Sequence, residues 1–225
     1  MKVFHYMSAK YALEALQYGR LKVSRYEDFN DPFELLSMSL EDQFTRNVVK
    51  AMKRELNDKI RVLCCSRIKS NPLMWGHYAD KHKGIVLELE VPKNKVTTIE
   101  YKHERPVVDI HQLVNDIKMN PNSLELNKIL NIKYADWHYE EEVRLEFGSD
   151  QVLTVGAHDF VEIGRDVKIV GLHLGPLNQT KIAEIEDAIP SDKSVMVTKL
   201  RMAFKTFKVV NDQRREPVLI SGSKL

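Results

Sequence analysis

Cysteine is scarce: the chain has two, and they are adjacent, at Cys64 and Cys65. Neighbours on a strand point to opposite faces, so this pair is expected to stay unbridged. Two thiols are too few for a disulfide framework or a cysteine-rich zinc site. Long hydrophobic runs are lacking too. No stretch of eighteen apolar residues occurs, which argues against a membrane-spanning helix. The opening MKVFHYMSAKYALEAL has neither a long apolar segment nor a small-residue cleavage site, so no signal peptide is expected and the expected compartment is the cytoplasm. An excess of charge of one sign is missing as well. Lys and Arg total 34 against 32 Asp and Glu, which gives no ground for a general polyanion-binding surface but leaves room for a local basic groove. Three motifs are absent: a phosphate-binding loop, a GxGxxG after a strand, and the GxSxG elbow of serine hydrolases.

What is present suffices for a core. Hydrophobic residues make up 43% of the 225 positions and charged ones 29%. With no repeat, linker or low-complexity tract, residues 1–225 read as one domain whose last dozen or so residues, from about 212, are polar and frayed. Lys2–Met7 reads as a strand. Ser8 caps a helix with Ala9, Ala12, Leu13 and Leu16 on one face, and Gly19 closes it. Leu21–Ser24 resumes a strand. Leu40, Phe44, Val48, Met52 and Leu56 mark a second helix, and KIRVLCCS a strand buried on both faces. Ser70 or Asn71 caps a short helix with Pro72 at its first position. Strands are expected at 84–90, 96–101, 142–147, 152–155, 167–174, 195–200 and 204–210. Helices are expected at 178–188 and over a segment carrying Leu126, Ile129, Leu130, Tyr134 and Trp137 on one face. Strands and helices mix without regular βαβ alternation, so the expected class is α+β.

Three blocks carry unusual residue types. Phe29-Asn30-Asp31-Pro32-Phe33-Glu34 is either an Asx-type turn stapled by two phenylalanines or a ligand loop presenting Asn30, Asp31 and Glu34. Met74-Trp75-Gly76-His77-Tyr78 packs three polar-tipped rings into a short segment, which suits a flat aromatic ligand or a structural aromatic cluster. His77 and His82 are a weak candidate metal pair without a third ligand. In Lys133–Arg144, KYADWHYEEEVR, a strand would point Glu140, Glu142 and Arg144 to one face and Glu141 to the other. Those three form either an ion-pair network or a site that holds a sugar hydroxyl and stabilises developing positive charge. Either cysteine could be a nucleophile, but burial in an apolar strand would blunt it.

In the order FHYMS, FNDPFE, LCCS, MWGHYADKHKG, WHYEEEVR and IVGLHLG, these blocks resemble a bacterial family described as domain of unknown function 2971, over about residues 3–175. The order of parts also resembles the ADP-ribosyltransferase fold. That resemblance implies two small mixed or antiparallel sheets with packed helices, and NAD held as substrate in a cleft between the sheets, with no metal. It implies His5 on the first strand at the nicotinamide-side ribose, with Tyr6 beside it and Ser66 as the serine at a strand end. It further implies Trp75 or Tyr78 as the ring against nicotinamide, with His77 in the same wall. Glu142 would be the catalytic acid, Glu140 its partner, and Asn30, Asp31 and Arg144 would complete the lining. Arg67 and Ile68 stand where the rest of a Ser-Thr-Ser motif would follow Ser66. The implied activity is ADP-ribosyl transfer or NAD glycohydrolysis on a nucleotide-type small molecule, with protein, nucleic acid or water as acceptor and no membrane involved. Two alternatives stand beside it. One is a metal-dependent nuclease or phosphodiesterase with Asp31, Glu34, Glu140 and Glu142 on Mg²⁺ and Lys133 or Arg144 at the phosphate. The other is a non-catalytic nucleotide- or protein-binding module.

Overall fold

The computed structural model describes residues 1–33, 37–119 and 129–223. The chain opens with β1 (Lys2–Met7). The Ser8 hydroxyl then accepts a hydrogen bond from the Tyr11 amide at 3.4 Å and caps α1 (Ala9–Tyr18). Gly19 ends that helix at φ 63°, the left-handed region that disfavours a Cβ, and β2 (Arg20–Val23) follows. Asp42 accepts from the Thr45 amide at 2.8 Å to start α2 (Gln43–Lys59), which runs directly into β3 (Ile60–Ser66). Asn71 caps α3 (Pro72–Tyr78), accepting from the Leu73 amide at 2.9 Å. Then come β4 (Ile85–Glu90), β5 (Val96–Thr98) and β6 (Glu100–Lys102), the last two separated at buried Ile99. The second half comprises α4 (Ile110–Met119), β7 (Ile132–Tyr134), a 3-10 helix at Ala135–Glu140 and β8 (Glu142–Gly148). It continues with β9 (Leu153–Val155), β10 (His158–Glu162), β11 (Lys168–Leu174) and α5 (Ile182–Ala188). Strands β12 (Ser194–Met202), β13 (Val209–Asn211) and β14 (Val218–Ser221) close the described chain.

The class is α+β. The strands fall into sheets of nine, three and two strands, where two small sheets were expected. The large sheet runs β13-β12-β11-β4-β1-β3-β8-β5, with β14 also paired to β12. Its middle is its weakest seam. β1 pairs with β4 at six positions and β3 with β8 at seven, but β1 and β3 meet at one, Phe4 opposite Ser66. Beyond that pair the His5 ring reaches across, donating from Nδ1 to the Cys64 carbonyl at 2.8 Å.

Burial explains how the split is held. One face of the sheet, with Val3, Leu87, Leu145 and Leu172, packs against Ala12, Leu16, Ile185 and Ala188 of α1 and α5. A second cluster gathers Tyr26, Val49, Val62, Leu113 and Leu130. A third places Met74 and Trp75 of α3 against Tyr6, Val86, Leu200 and Val209. Gly84 and Gly175 let α3 lie close, since a Cβ on either would stand 2.2 or 2.3 Å from a backbone oxygen of Met7 or His82. Among the described residues no helix is long and apolar enough to cross a membrane.

Several local expectations change. Tyr134, which is exposed, and Trp137, which is half-buried, lie on a strand and a 3-10 helix, so the helical spacing is coincidental; Leu126 lies outside the described residues. The expected 178–188 helix starts only at Ile182. The tail is structured at least through β14, where Ile220 is buried against Val195. Residues 204–207 form an exposed turn, and the strand there begins at Val209. Strand β10 was not expected at all.

Candidate functional site

Between β1 and β3 lies a cavity of about 260 Å³. Phe4, His5 and Tyr6 line it from β1, Cys64, Cys65 and Ser66 from β3, Tyr78 from α3, and Asn30 from the loop after β2. Lys133, Glu140 and Glu142 complete the wall. The first-strand histidine, the strand-end serine and the acid pair therefore meet although they are far apart in sequence.

The electrostatic centre is Lys133. Its ammonium donates to Glu140 Oε2 at 2.6 Å and to Glu142 Oε2 at 3.1 Å, and sits 4.9 Å from the Trp137 ring centre. Arg144 donates through Nε to Glu142 Oε1 at 2.7 Å and through a terminal nitrogen to Oε2 at 3.2 Å. Lys133, Glu140, Glu142 and Arg144 are all buried, and their formal charges cancel. Burying such a group alone costs several kcal/mol, and mutual pairing offsets that. Burial pushes the Glu142 carboxyl up, but Arg144 and then Lys133 outweigh it and hold it below its usual value. The stabilisation this confers is thus present above the unfolded-state value and is lost as pH falls through the lowered folded value. We expect Glu142→Gln to flatten the acid limb of a stability–pH curve recorded by urea unfolding. An acid limb as steep as that of the wild type would contradict the pairing.

Glu140 is placed from both ends. Its Oε1 accepts from the Tyr78 hydroxyl at 2.5 Å, and that hydroxyl accepts from Asn30 Nδ2 at 2.6 Å. Its carbonyl accepts from Ser66 Oγ at 2.6 Å, and Ser66 in turn accepts from the Ile68 amide at 3.1 Å. Burial, followed by the contact with Glu140, pushes the Tyr78 phenol far up, so it is a neutral donor. Glu140 lies at the end of the 3-10 helix and Glu141 turns left-handed at φ 42°, so the expected continuous strand through 140–144 begins only at Glu142. The convergence of Glu140 and Glu142 comes from Lys133, and Glu141 points to Arg67 at 3.6 Å.

His5 supplies the imidazole of the wall. Burial lowers its pKa, and the bond to the Cys64 carbonyl opposes that less strongly. A carbonyl only accepts, so Nδ1 carries the proton and Nε2 is the lone-pair nitrogen of the neutral ring. Tyr6 donates to the Ile68 carbonyl at 2.9 Å. Burial, with Glu142 adding to it, pushes the Cys65 thiol up, which makes a thiolate nucleophile there unfavourable.

Four residues expected at the ligand lie elsewhere. Trp75 is fully buried, its ring 5.3 Å edge-on from Tyr6 and its indole donating to the Lys69 carbonyl at 2.7 Å, so it is a core residue. Trp75→Phe should cost about 1–3 kcal/mol by orphaning that carbonyl, while ligand affinity per folded molecule stays unchanged in a paired denaturation and binding measurement. His77 is exposed on the outer side of α3, against Tyr78 and Tyr139. Asp31 is buried and caps the Phe33 amide at 2.9 Å, the Asx-type turn; it borders a neighbouring cavity of about 240 Å³ with Lys102, Arg105 and Lys133. Arg144 is fully buried, pairs with Glu142 and does not line the cavity. Glu34 lies outside the described residues, and among those described no group of three or more His, Cys, Asp or Glu is arranged to hold a metal ion.

Lys133, expected only as a phosphate contact, is the second cation that two acids beside one arginine call for. Tyr101, whose hydroxyl accepts from the Glu142 amide at 2.8 Å, carries no local signal at all.

Residues 74–145 match the model of a family described as "Protein of unknown function (DUF2971)". The match spans α3 to β8 and so includes Tyr78, Lys133, Glu140 and Glu142, and it is the family that the sequence blocks resemble. No curated protein and no solved structure matches the chain.

Proposed function

We propose that the cavity between β1 and β3 takes the nicotinamide–ribose half of NAD and cleaves its glycosidic bond, for ADP-ribosyl transfer or hydrolysis. The observation that carries this reading is the meeting of neutral His5, Tyr78 and the Glu140–Lys133–Glu142 array in one split of the sheet. In the reaction the bond from ribose C1′ to the nicotinamide nitrogen breaks, and its electron pair leaves with nicotinamide. Positive charge builds on the sugar, and the acceptor's nucleophile closes on C1′ while losing a proton. A carboxylate fixed beside the sugar stabilises that charge without reorganising. Glu142 is the best-fixed acid, held by Arg144, Lys133 and the strand, and Glu140 stands beside it. His5 Nε2 suits a ribose hydroxyl as donor, and the Tyr78 ring offers a face to nicotinamide. At about 260 Å³ the space fits part of a dinucleotide, and the neighbouring cavity, with Lys102 and Arg105, shares Lys133 with it and suits the diphosphate side.

A second reading has its own support. Both oxygens of Glu142 are already satisfied by cations, which suits a module that binds a nucleotide without consuming it. The phosphodiesterase reading is less well supported, since Asp31 borders the other cavity and Glu140 and Glu142 already share Lys133. Incubation of the pure protein with NAD separates them. Released nicotinamide without added metal supports the transferase or glycohydrolase; saturable binding with NAD intact after long incubation supports the module. A strict requirement for divalent metal supports the phosphodiesterase.

A further inference from the structure

The hairpin joining β12 to β13 holds two phenyl rings in solvent, Phe204 at 84% exposure and Phe207 at 97%. It is an ordered turn, with the Ala203 amide donating to the Lys208 carbonyl at 2.8 Å and the Lys208 amide to the Thr206 carbonyl at 2.9 Å. Lys205 and Lys208 alternate with the rings, and from Arg201 to Arg215 the chain carries five cations and one acid. That acid, Asp212, is shared by Arg201, Arg214 and Arg215 at 3.8, 3.1 and 4.0 Å. The Arg201 guanidinium lies 4.3 Å from the Phe204 ring. Among the described residues neither Lys205 nor Lys208 has an ion-pair partner, so the tip holds a local positive excess on a chain of nearly balanced charge. Paired rings this exposed serve no packing purpose within the chain.

We propose that this hairpin binds single-stranded nucleic acid. A single strand alternates a stackable base with a negative phosphate, and the tip alternates a ring face with a cation. Such surfaces bind by base stacking on aromatics and by backbone neutralisation. A membrane wedge would segregate its apolar side chains from its cations, whereas here Lys205 and Thr206 separate the two rings. The base of the hairpin packs against the segment that carries α3. Its base residues Leu200 and Val209 pack with Trp75 and Tyr78, and the Val209 amide donates to the Ser70 carbonyl at 2.8 Å. A bound strand would therefore run past α3, the helix that carries Tyr78 to the cavity. The proposal needs no chemistry in the cavity, so it stands or falls apart from the NAD reading.

The test is fluorescence anisotropy with labelled oligothymidine of about twenty nucleotides, longer than the roughly 4–16 nucleotides such surfaces cover. The full chain is expected to bind with an affinity that falls as salt rises. Phe204→Ala and Phe207→Ala should each weaken binding by about tenfold with the melting temperature unchanged. Lys205→Gln with Lys208→Gln should reduce the slope of log affinity against log salt by about 1.4. No binding up to about 0.1 mM protein overturns the proposal, as does binding unaffected by both ring substitutions. Capture by phosphatidylserine vesicles without oligonucleotide binding overturns it in favour of a membrane surface.

Discussion

Replacing Lys133 by methionine is expected to destabilise the protein by about 3–5 kcal/mol, the usual cost of removing one partner from a buried ion pair. Lys133 is buried and donates to both acids, so its loss leaves Glu140 and Glu142 facing one cation, Arg144. Like charges in a buried site favour protonation of one of them. The deficit of the variant relative to wild type should therefore shrink as pH falls below about 5, where a carboxyl can take up a proton. Adding Glu140→Gln to Lys133→Met restores neutrality around the Glu142–Arg144 pair and should recover part of the loss. Chemical denaturation of the two variants across pH measures both effects. A Lys133→Met variant as stable as wild type at neutral pH would mean that the network contributes no net stabilisation.

The local blocks were legible because their causes are local. Ser8 and Gly19 bound α1, and Asn71 with Pro72 starts α3, since a cap is a contact between residues a few positions apart. The meeting of His5, Ser66, Tyr78 and the acids was legible from residue chemistry and the family resemblance together. Three features resisted. Trp75 reads the same in a core and in a ligand wall, because an apolar body with one polar atom suits both, and only the position of the Lys69 carbonyl decides. The 140–144 period of two pointed to one face for the right residues, but the left-handed Glu141 interrupts the strand, and Lys133 brings the acids together from β7. The β14 strand lies between polar stretches, and its pairing with β12 is a long-range event that composition does not encode.

Loss of charge at Glu142 is the second large effect expected. Glu142→Gln keeps the shape of the side chain but removes the partner of Arg144 and one acceptor of Lys133. It should lower stability, contrary to what an exposed strand-borne acid would do, so turnover has to be expressed per folded molecule. Glu140→Gln leaves the Glu142–Arg144 pair intact and loosens only the contacts to Tyr78 and Lys133. Its effect on nicotinamide release should be the smaller, with acceptor use or binding altered instead.

The most direct measurement of the central claim is nicotinamide released from NAD by wild type, Glu142→Gln and Glu140→Gln, normalised to the folded fraction of each. Removing one preorganised electrostatic partner of a transition state typically lowers turnover by about a hundredfold to a thousandfold. The account predicts release by the wild type and a loss of at least about a hundredfold in Glu142→Gln. An unaltered rate per folded Glu142→Gln molecule, or no release by the wild type, would contradict it and leave the four buried charges as a structural network beside a binding cavity.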